Sequence, residues 1–159
     1  HLLLEHLPKV SFDSYQEKAR DLLSGFDPST ISSLTKKVIQ ILNNKDLNYI
    51  FHSKSFPEVT ISAKFEFLKN QKVIGVVDRL VFMPHYILAV DFKSNIRVPE
   101  NINNVPIGIL QQMGAYQEIL KKIYADTPIQ TAILWTEKEH LMKLNQLSVK
   151  EAFINATIS

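Results

Sequence analysis

The sequence predicts an α/β domain of three layers, with a central mixed sheet of four or five strands flanked by helices. Three observations predict it. Apolar residues recur at helical spacing through the first 50 positions, the period changes to two from Phe56, and one long helical pattern, residues 107 to 123, divides the strand-like runs into a group of three and a group of one or two.

The elements follow in order. Leu2, Leu3, Leu4 and Leu7 form an apolar cluster that stops at Pro8, and Ser11 or Asp13 is placed to cap a second helix running to Gly25. Asp27-Pro28-Ser29 starts a third helix, whose stripe is Ile31, Leu34, Val38, Ile41 and Leu42. Each of these helices has a single apolar stripe, as helices that pack on a sheet do. Val59, Ile61, Ala63, Phe65 and Phe67 then alternate with Glu58, Thr60, Ser62, Lys64 and Glu66 in a strand. A polar turn at Lys69 to Lys72 leads to two further strand runs, Val73 to Phe82 and Tyr86 to Phe92. "SNIRVPENINNVP" is an irregular loop of a length that often carries function. Pro106 stands just before the helix "IGILQQMGAYQEILKKIY", and "IQTAILW", "HLMKLN" and a short C-terminal helix close the chain.

Composition narrows the function. The 159 residues suffice for one domain with a proper core, and 45% hydrophobic with 21% charged residues is an ordinary globular balance. A net charge of +2 lacks a whole-surface basic footprint, so a polyanion must be held by a local patch. The absence of cysteine excludes disulfides, thiolate zinc sites and iron–sulfur clusters, and it fits a reducing compartment. No run of about eighteen apolar residues exists to span a membrane. "HLLLEHL" is too short for a signal peptide and lacks a basic flank and a small-residue cleavage site. Opening at His1 in a helical pattern, the chain is expected to be excised from a longer one.

The hairpin "GVVDRLVFMPHYILAVDFKSN" carries charges where a sheet should be apolar. A symmetric turn centred on Pro84-His85 sets Asp78 directly opposite Asp91, with Lys93 two residues on and on the same face. Facing carboxylates among Val76, Val77, Val90 and Phe92 repel and need compensation. Either Lys93 supplies it in a structural ion pair, or a divalent cation bridges both acids. Oxygen ligands without cysteine or a histidine-rich spacing suit Mg²⁺ or Mn²⁺.

The set "GVVDRL", "AVDFKSN" and "QQMGAYQEILKKIY" resembles the RecB-type nuclease domain of the PD-(D/E)XK superfamily. "HLLLEHLP", "FPEVTI" and "TAILWTEKEHLMKL" look like the C-terminal nuclease domain of AddA-type helicase–nucleases, which act in bacterial double-strand-break repair. The resemblance runs from His1 to about Leu144. It implies a restriction-endonuclease-like fold over residues 1–159, with a helical part at 1–50 and a sheet core at 55–147 containing the helix 107–123. It implies a Mg²⁺-dependent exodeoxyribonuclease, Mn²⁺ substituting, that cuts the strand ending 3′. Asp78 and Asp91 correspond to the two strand carboxylates that bind metal, the backbone carbonyl of Phe92 to the group completing that side, and Lys93 to the catalytic lysine. Lys93 would orient or deprotonate the attacking water, or neutralise charge in the transition state.

By the same resemblance Glu58 matches an upstream acid supporting the metal, and His1 a histidine near it. Gln112 and Tyr116 are the Gln-x-x-x-Tyr pair, four apart on one helix face, touching the nucleic-acid backbone or steadying the metal ligands. Val77-Asp78 stands where the superfamily has Pro-Asp, and Phe92 replaces a frequent Tyr; neither touches the chemistry. Implied partners are DNA, fed as a single strand from a duplex end, the helicase region of the same chain and an AddB-like subunit. The implied setting is the bacterial cytoplasm, at the nucleoid. That partner's nuclease holds an iron–sulfur cluster through cysteines, which this chain does not have.

Residue by residue, other positions are weighed too. A turn at 69 to 72 pairs Glu58 with Met83, away from Asp78, and brings Glu66 nearer. Arg97, just after the catalytic strand, is placed for a DNA phosphate. His6, His52, His85 and His140 read as surface residues, and Lys36-Lys37 and Lys121-Lys122 as solvated helix faces. Gly114 permits close approach of its helix to DNA or to the sheet. The rival to cleavage is a nuclease-like module that binds DNA or its helicase without cutting; intact Asp78, Asp91 and Lys93 count against it.

Overall fold

Two short helices, α1 (Leu2–His6) and α2 (Tyr15–Leu22), and a longer one, α3 (Pro28–Asn43), make up the N-terminal part of the chain in the computed structural model, which describes residues 1–52 and 54–158. The chain divides into two compact units, 1–53 and 54–159. In the first, Asp27 caps α3: its carboxylate accepts from Thr30 N at 3.0 Å, Ser29 Oγ at 2.5 Å and Thr30 Oγ1 at 2.6 Å. These hydrogen bonds, led by that of Ser29, hold its carboxyl well below the usual carboxylate range.

Two details differ from expectation. Residues 12–14 form a 3₁₀ turn, so α2 starts at Tyr15, and it ends at Leu22 without a left-handed glycine at Gly25. The stripe of α3 is Ile31, Thr35, Val38 and Ile41, while Leu34 is exposed. Thr35 tolerates full burial because its hydroxyl donates to the Ile31 carbonyl at 2.7 Å.

The second unit is α/β, with one mixed sheet in the order β1 (Ser55–Phe65), β2 (Gln71–Phe82), β3 (Ile87–Lys93), β4 (Ile129–Trp135) and β5 (His140–Lys143). Neighbours are antiparallel except β3 and β4, which are parallel. Parallel neighbours need a long crossover, and α4 (Ile107–Ile123) provides it. α4 packs on the sheet, and α5 (Gln146–Ile158) packs on α4. The core beneath α4 includes Ile61, Phe65, Val77, Leu80, Ala89, Met113, Tyr116, Ile119, Ile133 and Trp135.

β3 is central, and six of its residues, Ile87 to Phe92, are buried. That explains its continuous apolar run and isolates Asp91 within it. The β1–β2 turn lies earlier than the sequence predicts. β1 stops at Phe65, Glu66–Leu68 is a 3₁₀ turn containing Phe67, and Lys69 and Asn70 take left-handed φ angles of 53° and 60°. Asn70 N then donates to Phe65 O at 2.9 Å and closes the loop. Asparagine accepts this conformation more readily than most residues, which the turn exploits.

The close approach at Gly114 is to α5 rather than to the sheet. A Cβ there would collide with the Val149 carbonyl and lie 2.8 Å from Phe153 Cβ, so the glycine serves the contact of α4 with α5.

Candidate active site

The site forms where β2 stops pairing with β3. Arg79 faces Val90 and Leu80 faces Ala89, the register that the Pro84-His85 turn predicts, and no ladder pair follows beyond Arg79. Val77 and Leu80 both enter the core under α4, although three positions apart; the alternation therefore slips at Asp78-Arg79. Asp78 uses its side chain where the ladder ends, and its Oδ2 accepts from the backbone N–H of Phe92 at 2.6 Å. The group of Phe92 seen to engage the carboxylate is thus its amide.

The shifted turn also moves Glu58. Pro57 pairs with Arg79 and Val59 with Val77, which sets Glu58 opposite Asp78 and corrects its expected pairing with Met83. Glu66, expected nearer the site, sits in the 3₁₀ turn beyond β1. Glu58 has a φ of 51°, a left-handed conformation rare for a residue other than Gly, Asn or Asp, at the point where β1 must follow the slip of β2.

On the α4 side the polar groups interlock. Lys93 Nζ lies 2.6 Å from Asp91 Oδ2 and 3.4 Å from Gln112 Oε1. Gln112 Nε2 donates to Asp91 Oδ1 at 3.1 Å and to the Tyr116 hydroxyl at 2.7 Å, and that hydroxyl donates to Val76 O at 2.5 Å. Gln112 and Tyr116 thus share the face predicted for them. Gly75 and the Val76 carbonyl are the participants the sequence reading missed. The available signal was a lone glycine inside a strand pattern, which marks close backbone approach.

Burial raises the carboxyl pKa of both Asp78 and Asp91 above the ordinary value of 3.8. The Phe92 N–H and the charge of Lys93 oppose the shift at Asp78; at Asp91 the contact with Lys93 opposes it and the charge of Asp78 adds to it. Tyr116 is pushed up to about 12, by burial first and then by the charges of Asp91, Asp78 and Glu58. Asp91 is only 2% exposed, and its Oδ2 makes no well-directed hydrogen bond beyond the ionic contact with Lys93. Two repelling carboxylates with a spare buried lone pair have the oxygen chemistry of a divalent-cation site. Among the described residues, no group of three His, Cys, Asp or Glu side chains is arranged to hold a metal.

A stability consequence follows. A carboxyl whose folded pKa is raised contributes stability that is fully present below the unfolded value and is lost as pH rises through the folded one. In cation-free buffer Asp78→Asn, which can still accept from Phe92 N–H, is expected to be more stable than wild type near pH 7, by about 1 kcal/mol. The gap closes below pH 3.8, where the unfolded acid is also protonated. Thermal melts across pH check this, and an advantage for Asp78→Asn that persists in strong acid would contradict the assignment.

Arg97 is exposed on the loop after β3, lining an open cleft with Asn95, Asn104 and Trp135. His1 belongs to the N-terminal unit, exposed at the start of α1. His52, His85 and His140 are exposed, and His6 is half-buried beside Glu5. Lys122 is not merely solvated: it donates to Lys64 O at 2.8 Å and lies over the Phe65 ring. Among the described residues, no helix is long and apolar enough to cross a membrane.

No family model and no curated protein matches the chain. Among solved structures, the crystal structure of SSO0001 aligns with 99% of this chain and 73% of its own, at 14% identity and a TM-score of 0.39. A likeness of that size has no bearing on function.

Proposed function

We propose that this chain is a metal-dependent DNA nuclease domain, hydrolysing phosphodiester bonds at broken ends as part of an AddA-type helicase–nuclease. The observation that carries the reading is the meeting of Asp78, Asp91, Lys93 and Gln112 at the end of β3, a charged cluster in an otherwise apolar sheet. The resemblance of "GVVDRL", "AVDFKSN" and the Gln112/Tyr116 helix to RecB-type nucleases supports it from the sequence side.

Asp78 and Asp91 would hold Mg²⁺ or Mn²⁺, with Glu58 and His1 as further candidates from the resemblance. Such an ion supplies Lewis-acid polarisation and positive charge at the phosphate. The chain's own groups do the rest. Hydrolysis joins a water oxygen to phosphorus, breaks the bond to the leaving sugar oxygen and transfers one proton to that oxygen. Lys93 presents its ammonium beside Asp91, where the phosphoryl oxygens gain negative charge. Gln112 holds Lys93 from one side and Asp91 from the other, which keeps both in place as the substrate enters. Arg97, exposed beyond β3, is available for a neighbouring phosphate.

The test is cleavage of linear single- and double-stranded DNA in Mg²⁺, comparing wild type with Asp91→Ala, alongside calorimetric titration of Mn²⁺. Wild type is expected to cut and to bind Mn²⁺; Asp91→Ala should lose cleavage and Asp78→Ala should lose Mn²⁺ binding. Equal cutting by wild type and Asp91→Ala would remove this site from the reaction. Binding of DNA without any cutting, by a protein supplied with its helicase region, would replace the nuclease by a DNA clamp.

A further inference from the structure

Gly75 lies in β2 beneath the Tyr116 ring. A Cβ built at this position would come within 2.6 Å of Tyr116 Cε1 and 2.9 Å of Cδ1. Its φ is not left-handed, so the backbone does not demand glycine, and glycine in a strand interior costs stability relative to alanine. The missing side chain therefore accommodates the ring.

The ring, in turn, is tied into the charged cluster. Its hydroxyl accepts from Gln112 Nε2 at 2.7 Å and donates to Val76 O, one residue along from Gly75, at 2.5 Å. The other Nε2 proton goes to Asp91 Oδ1, and Oε1 faces Lys93 Nζ. No member of this chain can be reversed. An ammonium only donates and an ionised carboxylate only accepts, so the Gln112 amide has one allowed orientation. A phenol that accepts from Gln112 must send its own proton elsewhere, and the β2 backbone takes it. A flipped amide would set NH₂ against NH₃⁺ and carbonyl against carboxylate.

We propose that Gly75 is a positioning residue. By letting Tyr116 lie on the β2 backbone it sets the Gln112 amide, and through that amide the placement of Lys93 against Asp91. The kinetic consequence rests on the nuclease reading; the structural one does not.

The experiment compares wild type with Gly75→Ala by the side-chain amide NMR signals of Gln112, assigned against Gln112→Ala, and by cleavage kinetics. Gly75→Ala is expected to move the Gln112 pair toward the positions of a free amide, and to lower kcat by about tenfold or more with KM within about twofold. Gly75→Ala/Tyr116→Leu should be no worse than Tyr116→Leu alone, because the glycine acts through the ring. An unmoved Gln112 pair in Gly75→Ala overturns the proposal, as does a double variant whose loss is the product of the single losses. If wild type does not cut DNA, the nuclease reading fails while the amide signals still decide the role of Gly75. If Gly75→Ala does not fold, Tyr116→Phe keeps the ring and removes the hydroxyl; it must shift the same signals, and no shift overturns the proposal.

Discussion

Lys93→Met is expected to cut DNA about 10²–10³-fold more slowly than wild type while binding Mn²⁺ more tightly. The two effects have opposite signs because the ammonium faces two tasks. At 2.6 Å from Asp91 Oδ2, it is the resident counter-charge of a carboxylate that is 2% exposed. Removing it leaves the acid pair more negative, which favours an added cation. In the transition state of the proposed reaction the same charge would face the phosphoryl oxygens, and losing such a group costs about 2.7–4 kcal/mol. Methionine keeps the length and apolar stem of the side chain, so packing between Asp91 and Gln112 changes least. Single-turnover cleavage and calorimetric titration measure the two effects separately. Weaker Mn²⁺ binding in Lys93→Met would show that the lysine does not compete with a cation at Asp91, and unchanged cleavage would remove it from the chemistry.

Gly114→Ala is expected to destabilise the fold by about 2 kcal/mol, against the usual gain for alanine in a helix. The new methyl would strike the Val149 carbonyl, part of the α5 backbone, which cannot turn aside as a side-chain tip can. α4 and α5 must therefore separate, which loosens the contact of Phe153 with Phe65 and Phe67. Gly108 on the same helix has nothing within 4 Å, and Gly108→Ala should leave stability unchanged or raise it by up to about 1 kcal/mol. Denaturant melts of the two variants would give opposite signs. Equal stability would mean that the helix pair absorbs a methyl without cost.

Three parts of the site were legible in the sequence. Asp78, Asp91 and Lys93 interrupt apolar strand runs, and the short turn at Pro84-His85 fixed which residues of β2 and β3 face each other. The spacing of Gln112 and Tyr116 placed both on one face of α4, because helical period is local geometry. Glu58 was misplaced for an equally local reason. The β1–β2 connection runs through a 3₁₀ turn and two left-handed residues, Lys69 and Asn70, so the hairpin closes earlier than its polar residues mark.

The sequence by itself determined the α/β class, a sheet of four or five strands and the charged residues that interrupt it, since periodicity and turn chemistry act over a few residues. Only the tertiary structure decided how those charges are held. The seat of Tyr116 on Gly75 and the Gln112 amide between Asp91 and Lys93 depend on α4 crossing strands far away in the chain. Which strand residue a given helix residue will meet leaves no periodic trace in the sequence. Its one local mark is the absent side chain at Gly75.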